Sequence, residues 1–257
     1  MLYDIRGKVA VVTGSGRGIG RAIAVKLAHE GASAVVVNAK KGREEAEETA
    51  RIIKAAGSSS IAVVCDVATP HGAAELISEA AAKYGRVDIL VNNVGVGLYR
   101  RIGEYDEGVV EKIIATSLKS AIYCSQEAVK RMRGEGVIVN VSSLVGFIPY
   151  QGLAIYSAAK AGLIGLTKAM AVDLAPGIRV NAVAPGLVMD TKIGESWLKL
   201  HNITPEDWKT RYTLLRRPVY PDEVAEAVAT LIKIPSITGE TIVIDAGQSL
   251  LPGRFLE

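Results

Sequence analysis

A chain of 257 residues that is 49% hydrophobic can bury one large core, and its net charge of +3 comes from scattered residues, with only 5% aromatics to stack on bases, so nucleic acid is not an expected partner. Cys65 and Cys124 lack paired spacing and are accompanied by only three histidines, which argues against a zinc site or disulfide framework; no metal is expected, and reduced thiols in a cytoplasmic protein are. Residues 1–6 hold no apolar core of signal-peptide length, and the longest weakly polar run, 152–167, is broken by Lys160 and falls short of the ~20 residues that cross a bilayer, so no membrane span is expected.

From residue 8 to about 245, runs rich in Val and Ile alternate with helix-length segments, a rhythm that predicts a doubly wound parallel α/β sheet in a single domain covered by helices on both faces. The predicted strands are 8–13, 34–38, 61–65, 89–92, 137–142, 179–184 and 241–244. Strand one runs into Thr13-Gly14-Ser15-Gly16-Arg17-Gly18-Ile19-Gly20, with glycines where a backbone must turn tightly and approach a ligand. Ile19, Ile23 and Leu27 then give the first helix an apolar stripe, and Gly31 is placed to end it. A glycine turn between a strand and a helix predicts a pyrophosphate site at the free amides of the helix start. A carboxylate commonly closes the second strand of such a unit to hold a ribose 2′-hydroxyl. Here that strand ends in Asn38-Ala39-Lys40-Lys41, and with Arg17 inside the turn the cations favour NADP over NAD, although the same side chains also read as solvated surface charges.

Farther along, residues 137–142 form an apolar strand that delivers Ser143 at its carboxyl end, thirteen positions before Tyr156. Tyr156 and Lys160, four apart, share a helix face, where an ammonium lowers a phenol pKa that is ~10 in water. Taken alone, the spacing favours the plainer reading of an ordinary amphipathic pair with a snorkelling lysine. Between about 190 and 221 the rhythm breaks into short amphipathic pieces, 195–201 and 205–214, carrying both tryptophans; this segment is expected to be a mobile helical cap over the site. Residues 250–257 follow the last strand and could reach a neighbouring subunit or fray.

Together, Thr13-Gly14 with Gly18-Ile19-Gly20, Cys65-Asp66-Val67, Asn92-Asn93-Val94-Gly95, Ser143, Tyr156 with Lys160, and Pro185-Gly186 closely resemble the short-chain dehydrogenase/reductase family, in order and spacing, from about residue 7 to 248. The resemblance implies a bound nicotinamide cofactor. It implies that Gly14, Ser15, Arg17, Gly18, Ile19, Gly20, Asn38, Lys40 and Lys41 face its phosphates, that Asp66 and Val67 border the adenine, and that Asn92 and Gly95 line the cleft. Pro185, Gly186, Val188 and Thr191 would pass the nicotinamide amide, and Lys160 would also bond the nicotinamide ribose. In the family's mechanism Tyr156 is the general acid, Ser143 holds the carbonyl oxygen and Lys160 lowers the tyrosine pKa.

Two departures stand out. Ser117 occupies the place of an asparagine that in relatives anchors a relay water, and Val94 replaces an alanine near the cleft. The expectation is an NADP(H)-dependent oxidoreductase acting on a small-molecule ketone or secondary alcohol, with a 3-oxoacyl thioester reductase as the commonest analogy and a sugar or polyol dehydrogenase as its rival. A dinucleotide-binding sensor without turnover is the alternative from another class. Apolar outer faces on the helices around 112–131 and 156–174 add the expectation of a homotetramer.

Overall fold

The computed structural model describes residues 2–251; residues 252–257, most of the carboxyl-terminal extension considered above, lie outside them. Seven parallel strands form one sheet in the order β3-β2-β1-β4-β5-β6-β7. They are β1 (Val9–Val12), β2 (Ala34–Ala39), β3 (Ser59–Val64), β4 (Ile89–Asn92), β5 (Gly136–Val141), β6 (Ile178–Pro185) and β7 (Thr241–Ile244). The five inner strands are almost wholly buried, as an apolar run flanked by helices on both sides requires.

Side chains alternate between two cores. Ala10, Val12, Val35, Val37, Val137 and Val139 pack toward α1 (Gly18–His29), α2 (Arg43–Ala55) and α9 (Pro221–Lys233). Val11, Val36, Leu90 and Ile138 face α3 (Pro70–Tyr84), α5 (Ser120–Val129) and α6 (Ala154–Asp173). Helix starts are written locally: Thr69 accepts from Gly72 N at 3.0 Å with Pro70 at the first position of α3, and Asp106 accepts from Val109 N at 2.8 Å to open α4 (Glu107–Ile114). Between α4 and α5 the chain widens into a π-helical stretch, Ala115–Lys119, that holds Ser117.

The cap segment forms α7 (Lys192–Leu200) and α8 (Pro205–Tyr212), each opened by a threonine, Thr191 and Thr204, that accepts a backbone N–H at 3.0 Å. Among the described residues, no helix is long and apolar enough to cross a membrane. Strand order reverses between β1 and β4, so the loops leaving their carboxyl ends diverge and open a crevice above the sheet.

Candidate active site

At that crevice lies a cleft of about 730 Å³, running from the glycine turn to the cap. Gly14, Arg17, Gly18, Ile19 and Gly20 form one end of it. The turn is rigid because other residues are spent on it. Asn38, 1% exposed, accepts from Gly14 N at 3.2 Å and donates to the carbonyls of Val63 and Cys65, both at 3.3 Å. Ser15 donates its hydroxyl to Val12 O at 2.6 Å, and its own N–H bonds Asn38 O at 2.8 Å. Close approach makes glycine obligatory at Gly20, where a Cβ would stand 2.5 Å from Gly14 O. The first turn of α1 carries no acidic residue, so its positive end meets the cleft uncompensated. A backbone cradle that a side chain would fill, opening onto a helix start, fits a pyrophosphate.

Of the cations expected around a 2′-phosphate, Arg17 and Lys40 line the cleft, and Lys41 is exposed away from its wall. Both lining cations are paired with carboxylates: Arg17 with Glu45 at 3.1 Å, and Lys40 with Asp66 at 2.6 Å. Asp66 thus sits beside the cleft as a partner to Lys40. Val67 is buried at 2% exposure in the core that faces α3. Asn92 is also buried, donating to Ser125 Oγ at 3.0 Å and to Asn140 Oδ1 at 2.9 Å. Ser15, Asn38, Val67 and Asn92 are buried and are not on the cleft wall, whereas Gly95, Pro185, Gly186, Val188 and Thr191 are.

At the cleft floor, β5 and α6 bring Ser143, Tyr156 and Lys160 together. Ser143 follows β5 and opens a short 3₁₀ turn, its Oγ accepting from Val145 N at 3.4 Å. Neighbouring Ser142 turns inward and donates to Lys160 O at 2.9 Å, so the two serines divide their work: one ties α6 to the strand and the other faces the phenol. Lys160, 2% exposed, holds its ammonium 5.6 Å from the centre of the Tyr156 ring and donates to Val141 O at 2.7 Å. Gly95 leaves room for it, since a Cβ there would lie 3.1 Å from Lys160 Nζ.

The electrostatics differ from the sequence expectation that Lys160 lowers the phenol pKa. Burial pushes Tyr156 up to about 12, and the Ser143 hydroxyl is what draws it back down. Burial also brings Lys160 down to about 8. The reason is geometric: the ammonium is held over the ring by the Val141 carbonyl, and desolvation acts on both groups at once. Ser117, expected to anchor a relay water, donates its hydroxyl to Val96 O at 3.3 Å and accepts from Val96 N at 3.1 Å, pinning the loop after β4. Val94 lines the cleft close to the glycine turn.

Sequence reasoning did not single out Tyr150 or Gln248, which line the same cleft and bond each other, Gln248 Nε2 donating to Tyr150 Oη at 2.6 Å. No motif marks them, and 98 positions separate them in the chain. Nor did it anticipate how the cap would be built. Trp197 and Trp208 meet edge to face at 5.0 Å and line the cleft, while His201 bridges Trp197 at 4.2 Å and Tyr99 at 5.4 Å, joining the cap to the loop after β4.

Comparison with known proteins agrees with this architecture. Residues 14–249 match the family model described as enoyl-(acyl carrier protein) reductase. A 3-oxoacyl-(acyl-carrier-protein) reductase of Staphylococcus aureus is 39% identical, over 94% of this chain and 98% of its own. Tropinone reductase-like 3 of Erythroxylum coca is 36% identical over 94% and 93%. Among solved structures, a short-chain dehydrogenase/reductase from Serratia marcescens superposes with a TM-score of 0.88 at 34% identity, covering 96% of this chain and all of that one.

Proposed function

The chain belongs to the short-chain dehydrogenase/reductase family of NAD(P)-dependent oxidoreductases, and from that premise we propose that it uses NADP(H) to interconvert a ketone and a secondary alcohol. One observation carries the reading: Ser143, Tyr156 and Lys160 converge at the floor of a cleft whose other end is the glycine turn. The nicotinamide, when bound, supplies or accepts the hydride. Tyr156 gives its phenolic proton to the carbonyl oxygen during reduction, and Ser143 donates a hydrogen bond to that same oxygen as negative charge grows on it. Lys160, with a pKa of about 8, is mostly charged at neutral pH, and its ammonium, although burial keeps the resting phenol pKa high, lies 5.6 Å from the centre of the ring on which negative charge develops.

The preference for NADP(H) rests on Arg17 and Lys40 beside the turn and on the absence of a carboxylate at the end of β2. Glu45 and Asp66 hold these cations in exposed pairs, which are worth ~1 kcal/mol or less and yield readily to a phosphate dianion. The apolar wall formed by Leu153, Leu187, Trp197 and Trp208 suits a ketone with an apolar skeleton better than a polyol. The Staphylococcus relative makes 3-oxoacyl thioesters the first substrates to try. Exposed Phe147 and Val172 support self-association into the homotetramer expected above, which light scattering would size.

The test is calorimetric titration with NADPH and NADH, followed by a panel of 3-oxoacyl thioesters, simple ketones and polyols offered to the wild type and to Tyr156→Phe. Tighter NADPH binding and ketone reduction that falls by at least about 100-fold in the variant are expected. Turnover of a ketone at the wild-type rate by Tyr156→Phe would overturn the acid role, and tight NADPH binding with no turnover of any compound would point to a sensor.

A further inference from the structure

Behind the glycine turn stands a cation that no carboxylate claims. The peptide joining Gly16 to Arg17 lies between Gly14 and Gly18, both in the left-handed region at φ +62° and +55°, so its neighbours resist rotation little. Gly16 is buried, and its carbonyl oxygen needs a donor. Arg21, the fourth residue of α1, supplies two, Nη2 at 2.5 Å and Nε at 3.1 Å. The hydroxyl of Thr49, fully buried on α2, stands 3.1 Å from the same oxygen and accepts from Arg21 Nε at 2.9 Å. Thr49 and Arg21 also reach the carbonyl of Glu45, at 3.1 and 3.3 Å, so the starts of both helices are tied to one peptide.

A trans peptide carries its C=O and N–H on opposite sides, so a Gly16 oxygen fixed toward α2 turns the Arg17 N–H away from α2. Arg17 lines the cleft, whereas Gly16, Arg21 and Thr49 do not. Among the described residues nothing accepts from Arg17 N. The lock therefore sets the positive end of this peptide on the cleft side and keeps its negative end, which would repel a phosphate, out of the way. Arg17 and Lys40 are each paired with a carboxylate, but among the described residues none is within ion-pair distance of the Arg21 guanidinium, which bonds carbonyls and one hydroxyl. Its charge stands uncancelled beside a turn shaped for an anion.

We propose that Arg21, braced by Thr49, is a positioning residue for the dinucleotide: it locks the Gly16–Arg17 peptide with its amide toward the pyrophosphate and keeps a net positive charge behind the turn. The proposal rests on the cleft holding the family's dinucleotide. It does not depend on which ketone is reduced or which nucleotide is preferred.

The experiment titrates NADPH and NADH by calorimetry into the wild type, Arg21→Lys and Arg21→Met, at low and at high salt, with a thermal melt of each protein free of nucleotide. Kd for both nucleotides should rise by similar factors, roughly ten- to hundredfold in Arg21→Met, which loses lock and charge together. The rise should be smaller in Arg21→Lys, whose ammonium keeps the charge and reaches Gly16 O but has no planar fork to span Thr49 as well. Added salt should weaken binding less steeply in Arg21→Met than in the wild type or Arg21→Lys, a difference that loosened packing does not produce. Wild-type Kd values in Arg21→Met would overturn the proposal. So would a loss confined to NADPH, which would put Arg21 at the 2′-phosphate, or a lowered melt with the same Kd and salt slope in both variants, which would make the strut a tie between helices. If Arg21→Met fails to fold, Arg21→Lys decides: a raised Kd for both nucleotides at the wild-type salt slope supports the lock, and an unchanged Kd removes it. A wild type that binds neither nucleotide would end the dinucleotide reading and the proposal together, an outcome distinct from wild-type binding that the variants leave intact.

Discussion

Lys160 is an ammonium buried at a strand–helix junction, and on the proposed function its proton bears on both rate and stability. Folding lowers its pKa from 10.5 to about 8. Between those values the unfolded chain binds a proton that the folded chain does not, so this group's contribution to stability rises with pH from about 8 to 10.5 and stands as a constant cost below 8. Tyr156 acts in the opposite sense at higher pH: folding raises it from 10.0 to about 12, so its contribution falls as pH climbs through that window. Replacing the lysine by an apolar side chain of similar length removes the buried charge but leaves the Val141 carbonyl without its donor. Lys160→Met should therefore be more stable at pH 7 by roughly 1–2 kcal/mol, with the gap in melting temperature closing toward pH 10, and should lose nearly all activity. In the wild type, ketone reduction should decline as pH rises through about 8, where Lys160 loses its charge long before Tyr156 loses its proton. A pH–rate profile that stays level to pH 10 would contradict this. Ser143→Ala removes the hydrogen bond to the growing oxyanion, and kcat should drop about 100- to 1000-fold with little change in the melt.

At the scale of the elements, the glycine turn shows how one strand end is held by the next. Asn38, the penultimate residue of β2, reaches three backbone partners on two neighbouring segments, Gly14 N, Val63 O and Cys65 O. Asn38→Ala would strand those groups in a dry interior. A loss of about 2–3 kcal/mol in urea unfolding and weaker NADPH binding are expected together, because the same bonds hold the cradle. Here the limits of sequence reading become concrete. The strands were legible because each carries a Val/Ile run, buried in the five inner strands: 89–92 and 241–244 coincide with β4 and β7, and the others differ by two residues or fewer at either end. Ser143, Tyr156, Lys160 and the glycines were legible because one strand, one turn and one helix fix their spacing. Asn38 was expected at the cofactor and Ser117 at a relay water, yet which side chain turns toward the ligand and which toward a backbone carbonyl depends on partners tens of residues away. Tyr150 and Gln248 left no local trace for the same reason.

At the scale of the whole molecule, apolar side chains divide between the sheet and the cap. Leu90 lies at 0% exposure in the sheet core packed by α3, α5 and α6, whereas Met189, Leu198, Trp208 and Tyr212 form a separate cluster that gathers α7 and α8. Trp208, 1% exposed, stacks on Tyr212 at 5.0 Å and meets Trp197 at 5.0 Å, so the cap's cohesion depends on one indole. Truncating each core should then have different reach. Leu90→Ala leaves a cavity between strands that every element shares and should cost about 2–5 kcal/mol, lowering the melting temperature of the entire chain by roughly 5–15 °C. Trp208→Ala removes more volume, but from a cluster whose loss frees only two short helices; the main transition should move by less than in Leu90→Ala, while amide exchange in 192–212 accelerates and KM for the ketone rises more than kcat falls. Hydrogen exchange on the two variants separates these outcomes. If Trp208→Ala instead accelerated exchange across β4 and β5 as much as in α7 and α8, the cap and the sheet would be one cooperative unit, and substrate would have to enter without the cap loosening independently.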